Sequence, residues 1–174
     1  MNKNDILRRA VLTVLTLLWM LLIFAMSGAD QDESNAQSGT ICTFLCETFV
    51  EGFDELSPRE QQAIEEAIAF PVRKGAHLTE YTVLGMLLAA AAAAYTFNHI
   101  SVPFLIGVIY AVSDEIHQLY VPGRAGQFRD VLIDSAGVLL GICIYRAAAR
   151  RRRLRAQRPG QDASSGERRG PKKR

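Results

Sequence analysis

Apolar positions in this chain fall in four long runs, with the charges gathered between them. Ala10 to Met26 reads AVLTVLTLLWMLLIFAM, seventeen residues without a charge, bounded by Arg8 and Arg9 on one side and Asp30 on the other. A hydrocarbon core about 30 Å thick takes roughly 20 helical residues, so this run suffices with its polar edges. Further apolar stretches extend from Lys74 to Phe97, from Ser101 to Val121 and from Asp130 to Ala149. A soluble helix of such length shows a charged stripe along one whole face. These stretches carry charged or imidazole residues at one end only. The pattern therefore predicts an all-α, four-helix transmembrane bundle with spans over about 10–27, 74–97, 101–121 and 130–149. Basic residues ahead of the first run also suit a cleaved signal peptide. Met26-Ser27-Gly28-Ala29 is a poor cleavage site and the run is long, which favours a retained helix.

The segment 28–73 is patterned too. Ser57-Pro58-Arg59-Glu60 is a capping box with proline at the first helical position, followed by QQAIEEAIAF. Ile64, Ala67 and Ile68 share one face there. Ile41, Leu45, Phe49 and Phe53 recur every four residues in Thr40–Phe53. Two short amphipathic helices on the membrane surface are expected, the second ending before the span at Lys74.

Charge sharpens this layout. The whole chain has a formal net charge of only +2, but Arg146–Arg174 holds twelve Lys or Arg against Asp162 and Glu167. Ala29–Gly75 holds ten Asp or Glu against Arg59, Arg73 and Lys74. An even number of spans places both termini on one side. Lys3, Arg8, Arg9 and the arginine-rich tail make that side cytoplasmic, in the cell membrane. Residues 1–149 then form the membrane domain with 28–73 outside, and 150–174 is a basic cytoplasmic tail expected to be disordered. Arginine beside a membrane helix attracts anionic headgroups without sequence readout, so membrane lipid, and not nucleic acid, is its expected partner. Three cysteines make no disulfide framework. Cys143 reads as a small buried side chain. Cys42 and Cys46 share a helical face and read as two ordinary apolar-face residues; a disulfide between them is geometrically possible but would be strained.

The topology brings polar residues from separate helices to one depth. The second span runs inward, so Arg73, Lys74, His77, Glu80 and Tyr81 lie at its outer end. The third runs outward and ends in Asp114, Glu115, His117 and Gln118. The fourth begins at Arg129, Asp130 and Asp134, and Ser27 closes the first. Spacings of three and four put Arg73, His77 and Glu80 on one face, and Asp114, His117 and Gln118 on another. Glu115 is rotated about 100° from Asp114. Gly137 and Gly141 continue the Asp134 face and permit close approach of another helix. An ionisable residue at mid-bilayer costs roughly 2.5–3.5 kcal/mol, so such a cluster pairs, faces water, or serves a function. A structural ion-pair network, such as Arg73 with Asp134 or Arg124 with Glu115, is the alternative to a site. His77, His117, Asp114 and Glu80 are ligand types for zinc, yet their spacing is no zinc signature and arginines lie close by; no metal or other cofactor is expected. The loop YVPGRAGQFRD carries Arg124 and Arg129, whose planar forks suit phosphate or carboxylate.

Two stretches carry a resemblance. RKGAHLTEYTVLG (Arg73–Gly85) and SDEIHQLYVPGRAGQFRDVLIDSAGVLLG (Ser113–Gly141), with FAMSGAD at the end of the first span, resemble the VanZ-like family over roughly residues 10 to 147. That family is named for a protein associated with teicoplanin resistance, and most members are bacterial membrane proteins; the name makes no resistance claim for this chain. The resemblance implies that Arg73, Lys74, His77, Glu80, Tyr81, Asp114, Glu115, His117, Gln118, Arg124, Asp130 and Asp134 are the functional positions. The expected function is binding or modification of an anionic cell-envelope molecule, such as a lipid-linked or cell-wall precursor. As an enzyme, His77 with Glu80, or His117 with Asp114, would serve as acid or base. The alternative is a non-enzymatic accessory or structural subunit. Transport fits poorly, because the inner halves AAAAAAYTF, PFLIGVIYA and VLLGICIY contain no ion path.

Overall fold

The computed structural model describes residues 2–28, 31–97, 99–122 and 126–157, and within 31–38 the backbone only. The described residues are all-α. Helix α1 spans Lys3–Ser27, α2 Gln31–Phe49, α3 Pro58–Ala94, α4 Ser101–Gln118 and α5 Phe128–Ala156, with a 3-10 turn at Phe53–Glu55. By length and composition α1, α3 and α5 are fit to cross a membrane. Helix α4 does not join them on that measure, because its last turns, Asp114-Glu115-Ile116-His117-Gln118, offset the apolar run before them. Leu7, Val14, Leu17, Leu18 and Leu21 on α1, and Leu105 and Ile109 on α4, turn their side chains outward. Lipid accommodates such a surface; water does not.

Helix α3 is the hub and touches each of the other four helices. It runs antiparallel to α1: Arg9 Nε donates to the Ala94 carbonyl at one end (2.9 Å), and Trp19 Nε1 to the Glu80 carbonyl further along (2.9 Å). Tyr110 of α4 donates its hydroxyl to the Met20 carbonyl (2.5 Å). Both aromatic residues bury an apolar body and spend their one polar atom on a backbone acceptor. Against α5, α3 comes close enough for backbone contact. A Cβ on Gly141 would lie 2.0 Å from the Thr82 carbonyl oxygen, and one on Gly85 2.2 Å from that of Val138. The small-residue face that runs on from Asp134 is thus covered by α3. Tyr81, Leu84, Val138 and Ile142 fill the interior.

Four sequence expectations are corrected. The amphipathic helix from Ser57 and the second span are one continuous 37-residue helix, with Pro71 inside it. Proline removes one backbone hydrogen bond and crowds the preceding turn, but packing on both sides of Pro71 holds the helix together. The capping box does form: the Ser57 amide and hydroxyl both reach Glu60 Oε2 (2.9 and 2.6 Å). Helix α2 also turns differently from the four-residue apolar repeat. Over 39–49 Cys42 and Cys46 are the buried residues, Leu45 is half-buried and Ile41, Phe44 and Phe49 are exposed, while Phe53 of the repeat is buried in the 3-10 turn. The packing partner decides this: Thr43, on the cysteine side, donates to Glu65 of α3 (2.5 Å). Cys42 and Cys46 are free thiols, and burial, assisted for Cys42 by Cys46, pushes both above their ordinary range. Cys143 is exposed, not buried. Finally, α5 carries the first turns of the basic tail as helix, to Ala156; the expectation of disorder beyond Gln157 falls outside the described residues.

Candidate functional site

The polar residues meet where α1 and α4 end and α5 begins. Asp114 of α4 and Asp134 of α5 are each 1% exposed, and Ser27, Glu115, Gln118 and Asp130 are buried around them. Helix α3 supplies the opposite wall. Tyr81, wholly buried, donates its hydroxyl to Asp114 Oδ2 at 3.2 Å. Lys74 Nζ reaches both carboxylate oxygens of Asp130 at 2.5 Å, tying α3 to the first turn of α5. His77 Nδ1 stands 3.8 Å from Asp134 Oδ1. Glu115, rotated away from Asp114, accepts a hydrogen bond from the Gln127 backbone amide and so pins the approach to α5. The His117 ring stacks on Phe24 of α1, centroids 4.0 Å apart and planes inclined by 24°.

Carboxylates dominate this cluster. The charges of Asp114, Asp130, Glu115 and Glu80 all act on Asp134, and Lys74 is already committed to Asp130. Among the described residues, five buried side-chain atoms find no hydrogen-bond partner: Glu115 Oε2, His117 Nδ1, Gln118 Nε2 and both oxygens of Asp134, while the Ser27 hydroxyl lies beside the Asp114 carboxylate. Buried polar groups are ordinarily satisfied, and each exception costs about 1–3 kcal/mol. Among the described residues no three His, Cys, Asp or Glu side chains converge as metal ligands would. The cluster's spare capacity is for hydrogen bonds: Glu115 and Asp134 accept, Gln118 Nε2 donates, and His117 Nδ1 does either.

Of the residues singled out in the sequence, Lys74, His77, Tyr81, Asp114, Glu115, Gln118, Asp130 and Asp134 form this network, with His117 at its α1 edge. Glu80 contributes its charge and, through its carbonyl, the anchor for Trp19. Two arginines stand elsewhere. Arg129 is exposed and lies over the Phe70 ring, 5.6 Å from its centroid, beside Lys74 at 5.4 Å. The charge of Arg73 acts on Cys42 of α2. Arg124 is outside the described residues. Phe24, Trp19, Tyr110 and Gln127 went unnoticed in the sequence; the polar handles on Trp19 and Tyr110, inside otherwise apolar runs, were their only signal.

A helical membrane protein with a buried, carboxylate-rich polar cluster at one end of its bundle is thus defined by fold and site. The VanZ/LLP1 family model matches residues 12–149, which takes in the membrane helices and every residue of the cluster, and the chain belongs to that family. No curated protein and no solved structure matches the chain.

Proposed function

We propose that this protein binds, at the extracytoplasmic end of its bundle, the polar head of an anionic cell-envelope molecule such as a lipid-linked or cell-wall precursor. The observation that carries this reading is the set of five buried polar atoms whose hydrogen bonds the described residues leave unmade. A network whose purpose was only to lock helices would use them. An enclosed cluster richer in carboxylates than in cations repels an anion, so the ligand's hydroxyl or amide hydrogens reach Asp114, Asp134 and Glu115. Its phosphate or carboxylate stays at the rim near the exposed Arg129. If a bond is broken there, His117 and His77 are the acid–base groups, with Ser27 or water as nucleophile. Asp134→Asn keeps the shape and removes an acceptor charge. Protein purified from its own membrane and examined by native mass spectrometry should show a copurifying ligand that Asp134→Asn loses, at unchanged abundance and helix content. Equal ligand retention in the variant would sink the proposal.

The second reading, a structural network without ligand, is favoured by the Lys74–Asp130 pair, which stitches α3 to α5. Under that reading no ligand copurifies, and Asp134→Asn changes thermal stability alone.

The geometry of this proposal needs a fourth crossing and a fixed orientation. At 1.5 Å per residue the 18 residues of α4 reach about 27 Å, close to the thickness of the hydrocarbon core. Basic residues around both ends of the 1–157 stretch support a cytoplasmic side for both ends. With the native cysteines replaced, Gln127→Cys should react with an impermeant thiol reagent from outside intact cells, and Gln157→Cys only after lysis. The reverse pattern, or equal labelling, rejects this topology.

A further inference from the structure

A second feature lies at the opposite end of the bundle, remote from the polar cluster. A groove of about 510 Å³ opens between the end of α3 and the last turns of α5. Its apolar lining is Ala93 of α3, Phe97 just beyond that helix and Tyr145 of α5, over a floor of the buried Ala89 and Ile142. Its mouth is basic: Arg146, Arg150 and Arg153 line it from α5, with His99 from the turn after α3. Spacings of four and three put the three arginines on one helix face, over about 10 Å of axis. The intervening Arg151 and Arg152 are rotated off that face, so the groove takes a defined subset of the basic run. From Arg146 to Arg155 there are six arginines and no acidic residue.

We infer that this groove is a binding site for one anionic glycerophospholipid of the adjacent leaflet. An acyl chain would lie along Ala93, Phe97 and Tyr145, and the phosphate in the forks of Arg150 and Arg153. The charge complementarity is specific to an amphiphile. Guanidinium groups match phosphate bidentately, while the apolar wall of Ala93, Phe97 and Tyr145 suits hydrocarbon. A purely basic tail attracts anionic membrane surface in proportion to its charge wherever the charge sits. The groove instead requires particular arginines and an open apolar wall.

The test is native mass spectrometry of the full chain in detergent, titrated with phosphatidylglycerol and separately with phosphatidylcholine. The wild-type protein should take up one phosphatidylglycerol in preference to phosphatidylcholine. Arg150→Gln/Arg153→Gln should weaken that binding by about tenfold or more. Arg151→Gln/Arg152→Gln, equal in charge lost, should leave it within about twofold. Ala93→Leu, which fills the groove without touching charge, should weaken it as well. Inorganic phosphate at millimolar concentration should not displace the lipid. Equal losses in the two arginine pairs would show bulk electrostatics and overturn the inference, as would equal uptake of phosphatidylcholine or displacement by free phosphate. Should Ala93→Leu fail to fold, the two arginine pairs, all on exposed positions, decide the matter alone.

Discussion

Replacing Lys74 by methionine should destabilise the protein by about 3 kcal/mol or more, the low end of the range for breaking a buried ion pair. Methionine preserves much of the lysine stem, so the change removes charge more than packing. Asp130 would be left 8% exposed with its own charge, beside Glu115 and Asp134. Its place in the first turn of α5 gives partial relief, because the helix N-terminus favours an anion there. That relief is why the lower end of the range applies. Removing both partners together is a different experiment. Lys74→Met with Asp130→Leu exchanges a desolvated pair for apolar contact and should regain most of the lost stability. Thermal unfolding in a mild detergent checks both. If the double variant is no more stable than the single one, Asp130 was never short of a partner and the pair does not hold α3 to α5.

Gly141→Leu should have an effect of similar size for a steric reason. Even a Cβ at this position would come within 2.0 Å of the Thr82 carbonyl oxygen and 2.8 Å of the Met86 amide nitrogen. Both are backbone atoms of α3 and cannot rotate away, so the helices must part. Overpacking of this kind costs typically 1–3 kcal/mol, and the upper end applies where backbone meets backbone. Asp134 lies two turns before Gly141 on the same face, so separating the helices also loosens the polar cluster, and any copurifying ligand should fall with stability. Gly75→Ala provides the contrast. It lies inside α3 with nothing within 4 Å of a would-be Cβ, and alanine there should stabilise by about 0.5–1 kcal/mol. A Gly141→Leu protein as stable as the wild type would mean that α3 and α5 do not pack this closely in the membrane.

Most of the polar cluster could be read from the residues alone. Alternating helix directions set Lys74–Tyr81, Asp114–Gln118 and Asp130–Asp134 at one depth, and spacings of three and four set them on common faces. Depth and face are local properties, fixed by position along a helix and by 3.6 residues per turn. The basic groove at the other end was not legible. Its arginines were visible only as a charged tail, and nothing in a run of alanines announces that two of them line a wall.

What the sequence by itself determined, then, is where the apolar runs lie, which ends of them are polar, and which family they belong to. Tertiary structure decided which polar groups touch. Lys74 and Arg129 are both cations near the same end, yet Lys74 closes on Asp130 while Arg129 covers Phe70. It also decided that α2 packs on its cysteines and not on Ile41 and Phe49, and that α3 runs unbroken through Pro71. The physical reason is common to all three. Periodicity fixes a side chain's angle about its own helix, but contact between helices depends on their separation, crossing and register. Here those were set by distant glycines at 85, 137 and 141, which let two backbones meet.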